Sequence, residues 1–159
     1  MKLKSVKANA LIIAKCILLL FLPLKAQAFN LPNVFVFSEG DDQDSRSCNF
    51  TNASAIAKAE SVFRHNRIQI NSLSKYTFYI NVTILRLQSM DGCIANIATQ
   101  LYFNEFVAFP TDPQKKSFLN VVISDKSMTI TGPATNFENR ILNTISTFTE
   151  QAISSAEIK

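Results

Sequence analysis

Cys48 and Cys93 are the only cysteines beyond residue 28, and the chain before that point reads as an export signal. Lys2, Lys4 and Lys7 open it with no acid nearby. An apolar run follows, strongest from Cys16 to Leu24, and Ala26-Gln27-Ala28 offers a small-x-small exit. Positive start, short apolar middle and small-residue exit are the three parts of a secretory signal peptide. A membrane-spanning helix wants roughly 20 unbroken apolar residues. Here Lys15 splits the run and Pro23 sits near its end. Cys16 does not fit a lipidated cysteine, because Lys15 before it is not small and apolar chain continues after it. The expectation is a leader over residues 1–28 and one exported domain over 29–159, periplasmic or extracellular. In such an oxidising space a lone pair of cysteines is expected to close one bridge, Cys48–Cys93. That covalent tie limits every topology the chain can adopt.

The leader also distorts the charge. Five of the 16 basic residues (Lys2, Lys4, Lys7, Lys15, Lys25) lie within it and no acid does, so residues 29–159 hold 11 bases against 12 acids, a net −1. The basic balance belongs to the leader and gives no argument for a nucleic-acid partner. No cationic amphipathic segment favours a membrane surface, and no transmembrane segment is expected after cleavage. A C-x-x-C redox pair is absent.

Periodicity sets out the elements. Val34–Ser38 reads as a short strand, and the polar stretch Glu39–Ser47 as a loop ending at Cys48. A helix from about Ala53 to Asn66 follows, with cap chemistry at Thr51, Asn52 and Ser54 and an apolar stripe of Ala55, Ile56, Ala59, Val62 and Phe63. Tyr76–Leu87 alternates, with Tyr76, Phe78, Ile80, Val82 and Ile84 on one face. Asp91-Gly92 marks a turn. A strand from Cys93 to about Phe109 turns Ala95, Ile97 and Leu101 one way and Asn96, Gln100, Tyr102 and Asn104 the other. Pro110 and Pro113 predict a break, with Lys115-Lys116 in an exposed turn. Phe118–Ser124 reads as a fourth strand, which Ser127–Thr131 extends or follows as a further short one. Thr135-Asn136-Phe137-Glu138 is a capping-box pattern, and a last helix runs to about Ser154 on a stripe of Phe137, Ile141, Ile145, Phe148 and Ala152. The order β-α-β-β-β-α predicts an α+β fold, an antiparallel sheet of about four strands with two helices packed on one face.

Phe63-Arg64-His65-Asn66-Arg67-Ile68, Tyr79-Ile80-Asn81-Val82, Gly92-Cys93 and the closing Gly132-Pro133, Asn136-Phe137 and Arg140-Ile141 pairs carry a resemblance. The pattern resembles small exported bacterial proteins of unknown function. That resemblance implies a signal peptide, one disulfide and a helix–antiparallel sheet–helix core, and it implies no active site.

Candidate sites are few. His65 is the only histidine, and zinc draws three or four Cys, His or acidic ligands, so no metal or cofactor is expected. No Gly-x-Ser-x-Gly elbow places a nucleophile. Glu39, Asp41, Asp42 and Asp44 cluster, yet match no EF-hand spacing. Asn49-Phe50-Thr51, Asn52-Ala53-Ser54 and Asn81-Val82-Thr83 fit the glycosylation acceptor pattern. The outward hairpin face is the candidate binding surface: Tyr79, Asn81, Asn96, Gln100, Tyr102 and Asn104. Tyrosine brings contact area with a hydroxyl, and amides both donate and accept. The residues point to a binding or accessory domain of the envelope rather than an enzyme, meeting an envelope protein or a glycan. The alternatives are a hydrolase or hydrolase inhibitor of unfamiliar class, and a structural subunit of an envelope assembly.

Overall fold

In a computed structural model, which describes residues 31–39, 43–87, 89 and 91–156, the described residues form nine elements. They are β1 (Asn33–Ser38), α1 (Gln43–Ser47), α2 (Asn52–His65), β2 (Gln69–Ile70), β3 (Tyr76–Leu87), β4 (Gly92–Phe109), β5 (Asp112–Pro133), a 3₁₀ turn (Ala134–Asn136) and α3 (Phe137–Ala156). The leader read over residues 1–28, and Asp41 and Asp42 of the acidic cluster, lie outside the described residues.

The α+β class holds, and the sheet departs from expectation. It has five strands in the order β2-β1-β3-β4-β5 and is mixed. β1 runs parallel to both β2 and β3, while β3, β4 and β5 are antiparallel. Parallel neighbours need a crossover connection, and α2 supplies it between β1 and β3. Strand-helix-strand order carried that signal.

Three local readings are corrected. The polar stretch before Cys48 contains a one-turn helix, α1, whose Asp44 Oδ2 accepts from the Arg86 backbone N–H of β3 at 3.4 Å. The β4–β5 turn sits at Pro110–Thr111, between the paired residues Phe109 and Asp112, so Lys115 and Lys116 belong to strand β5. Pro113 is tolerated there because β5 is an edge strand and needs no donor on its outer side. Glu138 does not stay within its own helix end: its carboxylate accepts from Ser54 Oγ at 2.9 Å, linking α3 to the start of α2. Ser127–Thr131 continues the same strand as Phe118–Ser124.

The helices form as their caps and stripes dictate. Thr51 Oγ1 accepts from the Ser54 N–H at 3.1 Å and caps α2, satisfying one orphan amide of the first turn. Ala55, Ala59, Val62 and Phe63 of α2 and Phe137, Ile141, Ile145 and Phe148 of α3 are buried. They cover the sheet face carrying Val34 and Val36 of β1, Phe78, Ile80 and Ile84 of β3, and Ala95, Ile97 and Leu101 of β4. Among the described residues, no buried side-chain nitrogen or oxygen lacks a hydrogen-bond partner. Thr149, fully buried in α3, donates to the Ile145 carbonyl at 2.7 Å.

The disulfide joins Cys48 to Cys93, both fully buried, across 45 residues of sequence. It pins the segment between α1 and α2 to the start of β4. Asn49 beside it adopts a left-handed φ of 57°, a conformation that asparagine tolerates better than most residues. Among the described residues, no helix is long and apolar enough to cross a membrane.

Candidate binding face

Side chains alternate across a strand, so burying the even residues of β3 and the odd residues of β4 leaves their neighbours on the other face. The register makes this explicit. Tyr79 lies opposite Gln100, Asn81 opposite Ala98, Thr83 opposite Asn96, and Thr77 opposite Tyr102. Five of the six candidate residues thus share one surface within the β3–β4 ladder. Asn104 lies beyond the end of β3 and still joins them, its Nδ2 donating to Thr77 Oγ1 at 3.1 Å. The long helices α2 and α3 pack against the opposite face, and no helix of the described residues is placed over this one.

The face is internally hydrogen-bonded. Asn81 Nδ2 donates to the Tyr79 hydroxyl at 3.3 Å, and the Tyr102 hydroxyl donates to Gln100 Oε1. Asn96 Nδ2 reaches Thr129 Oγ1 of β5 at 3.2 Å. These bonds hold amides and rings in fixed orientations, with remaining lone pairs and N–H groups open to a ligand.

Two aromatic residues belong to the face that the sequence pattern did not assign. Phe35 pairs with Thr77 and Phe37 with Tyr79. Phe37 stacks on Tyr79 with centroids 5.9 Å apart and planes at 21°, and it remains 44% exposed. In Val34-Phe35-Val36-Phe37 both alternate sets are apolar, so sequence alone could not say which set points inward. Asp125 of β5, opposite Gln100, puts one carboxylate on the far side.

Burial pushes the Tyr79 phenol above its usual value of 10.0, and a hydrogen bond to the Glu39 carboxylate adds to the rise. Burial does the same for Tyr76, partly opposed by Lys75. A raised phenol pKa means that the fold holds the proton more tightly than the unfolded chain does. Its stabilising contribution is complete below about pH 10 and is lost as pH climbs through the folded value. Urea unfolding between pH 7 and 11 is therefore expected to give a shallower alkaline decline for Tyr79→Phe than for the wild type. Parallel curves would contradict the assignment.

Two surface hollows lie away from this face. One of about 450 Å³ is lined by Arg64, Arg67 and the Ile68–Ile70 stretch. Another, of about 410 Å³, is lined by residues including Leu73, Tyr76 and Phe103. Among the described residues, neither lining contains a carboxylate or a histidine. His65 is exposed near the end of α2, and among the described residues no group of three or more His, Cys, Asp or Glu side chains could hold a metal ion.

No protein family and no curated protein matches the chain. Among solved structures, it is similar to the PelC dodecamer from Paraburkholderia phytofirmans at 12% identity, covering 84% of this chain and 92% of that one, with a TM-score of 0.43. It is also similar to the rare lipoprotein B from Shewanella oneidensis, at 9% identity over 78% of this chain and 87% of that one, TM-score 0.25. At those scores neither likeness bears on what this chain does.

Proposed function

We propose that this chain is an exported binding domain of the cell envelope, and that its open sheet face takes a neutral glycan. In this reading the leader ends at Ala28 and residues 29–159 work as one unit. The observation that carries it is the Phe37–Tyr79 stack, uncovered within a grid of side-chain amides and hydroxyls. A sugar ring presents a flat C–H face and a rim of hydroxyls. An aromatic ring suits the first, and amides that both donate and accept suit the second. The sparse charge of the face matches a neutral ligand better than an ionic one. Export is supported by the buried Cys48–Cys93 bridge, since disulfides persist in oxidising compartments.

Electrophoresis through gels containing neutral polysaccharides tests the reading. The wild type is expected to be retarded by at least one of them. The Tyr79→Ala, Asn96→Ala, Tyr102→Ala triple variant is expected to lose about tenfold or more in affinity, the loss of about 1.4 kcal/mol or more. Its thermal unfolding should remain cooperative, because all three side chains lie on the uncovered face. Free migration of the folded wild type through every neutral glycan would overturn the reading.

A further inference from the structure

We propose that two copies of this chain pair edge to edge, β5 against β5, in antiparallel register about Asn120. The observation is an arm. β3 ends its pairing with β4 at Tyr76 and Phe103, closed by the Asn104 N–H donating to the Lys75 carbonyl at 2.7 Å. Beyond this, β4 and β5 pair only with each other among the described residues, and every residue from Phe106 to Val122 is exposed. A two-stranded ribbon is marginal in water by itself, and three or more strands are needed for independent stability.

The arm is apolar on both faces. On the side continuous with the open sheet face, Phe106 is 69% and Phe118 55% exposed, packed edge to face with centroids 5.3 Å apart. On the other side Leu119 and Val121 are exposed. Contiguous exposed apolar surface of this kind marks an interaction site.

β5 is also the open edge of the sheet. Natural edges are usually guarded, and here the guards stand at the two ends. Pro113 lacks a donor near the tip. At the far end Arg140 Nη1 donates to the Thr131 carbonyl, in space that Gly132 leaves by having no Cβ. Between them no further strand pairs with β5 among the described residues.

Side chains select the register. A two-fold axis through Asn120, perpendicular to the sheet, lays Phe118 against Val122 on one face and Leu119 against Val121 on the other. The irregularity between Val122 and Ser124 then brings Lys116 opposite Asp125. These two share the open face, since Lys116 pairs with Ala108 and Asp125 with Gln100. Moving the axis by one residue either way sets Phe118 against Asn120 or Asp125 and breaks the charge match. Lys126 then comes beside Lys115, where the strand is already irregular, and that contact is a cost. A lipid bilayer is a poorer occupant, because hydrocarbon leaves the free N–H and C=O groups of the edge unsatisfied. A paired dimer forms one sheet with both open faces on the same side, independent of what those faces bind.

Sedimentation equilibrium on residues 29–159 is expected to show a reversible monomer–dimer equilibrium. Lys116→Glu and Asp125→Lys are each expected to weaken it by about tenfold, since each places like charges opposite one another twice in the dimer. The double exchange should restore it. Asn120→Cys should cross-link two copies on mild oxidation, because residues opposite in an antiparallel pair lie within disulfide range. Thermal unfolding of the exposed-site variants checks that each is folded. A monomer at every concentration overturns the proposal, including one that floats with anionic vesicles. So does a dimer that ignores both charge reversals.

Discussion

Truncating Phe78 to alanine is expected to cost about 3–5 kcal/mol of folding free energy. Phe78 is fully buried on β3, and its ring meets the equally buried Phe63 of α2 edge to face, centroids 5.3 Å apart at 78°. The contact joins the crossover helix to the sheet. Removing the ring forfeits its transfer free energy and leaves a cavity that fixed backbone on both sides cannot close. A domain of this size has about 5–15 kcal/mol in total, so the loss is a large fraction of the whole. Leu73→Ala provides the contrast. Leu73 is 89% exposed, and its truncation should fall within about 0.5 kcal/mol of the wild type. Urea unfolding midpoints at fixed m-value check both. A Phe78→Ala loss below about 1.5 kcal/mol would remove Phe78 from the centre of the core.

Replacing Cys48 and Cys93 together by alanine is expected to cost about 4 kcal/mol in the chain-entropy account, given their sequence separation of 45. The bridge restricts the unfolded chain by holding the α1–α2 segment to the start of β4. Both sulfurs are fully buried, so the double alanine also loses packing that a surface bridge would not provide. Reduction of the wild type in denaturant, followed by refolding in reductant, should reproduce the loss without mutation. Thiol titration of residues 29–159 in denaturant should find no free cysteine. Two reactive thiols would contradict the pairing, and a double alanine as stable as the wild type would contradict its energetic role.

The elements that sequence periodicity specified most clearly were those with one unambiguous face. Tyr76–Ile84 alternates between apolar residues and a more polar set, and its inward set is legible in the sequence. The stripes of α2 and α3 were equally plain. β1 was visible as a strand, but its alternation of valine and phenylalanine hid which pair faced the core, and so hid Phe37 beside Tyr79. Its parallel pairing follows from the crossover through α2, a tertiary relation that local pattern states only indirectly. β2 has two residues and α1 has five, and both are too short for a periodic signal. They are held by neighbours instead: β2 by its pairing with β1, α1 by the bridge at Cys48 and by Asp44 on Arg86. Pro113 misled the placement of the β4–β5 turn, because proline reads as a break unless the strand is known to be an edge. The six candidate residues of the sheet face are legible together because each strand of the hairpin alternates; the pairing itself is not, since Gly92 reads as part of the turn and is the first residue of β4, opposite Leu87. The arm is not legible in local pattern, since exposure of Phe106 and Phe118 depends on β3 ending at Tyr76.

The recognition surface itself is tested most directly by amide chemical-shift mapping of ¹⁵N-labelled residues 29–159 titrated with a soluble neutral oligosaccharide drawn from the polysaccharide that retards the protein. Saturable shifts should concentrate at Phe37, Tyr79, Asn81, Asn96, Gln100 and Tyr102, with the outer surfaces of α2 and α3 silent. Shifts centred on the helices, or on the hollow beside Arg64 and Arg67, would contradict the account.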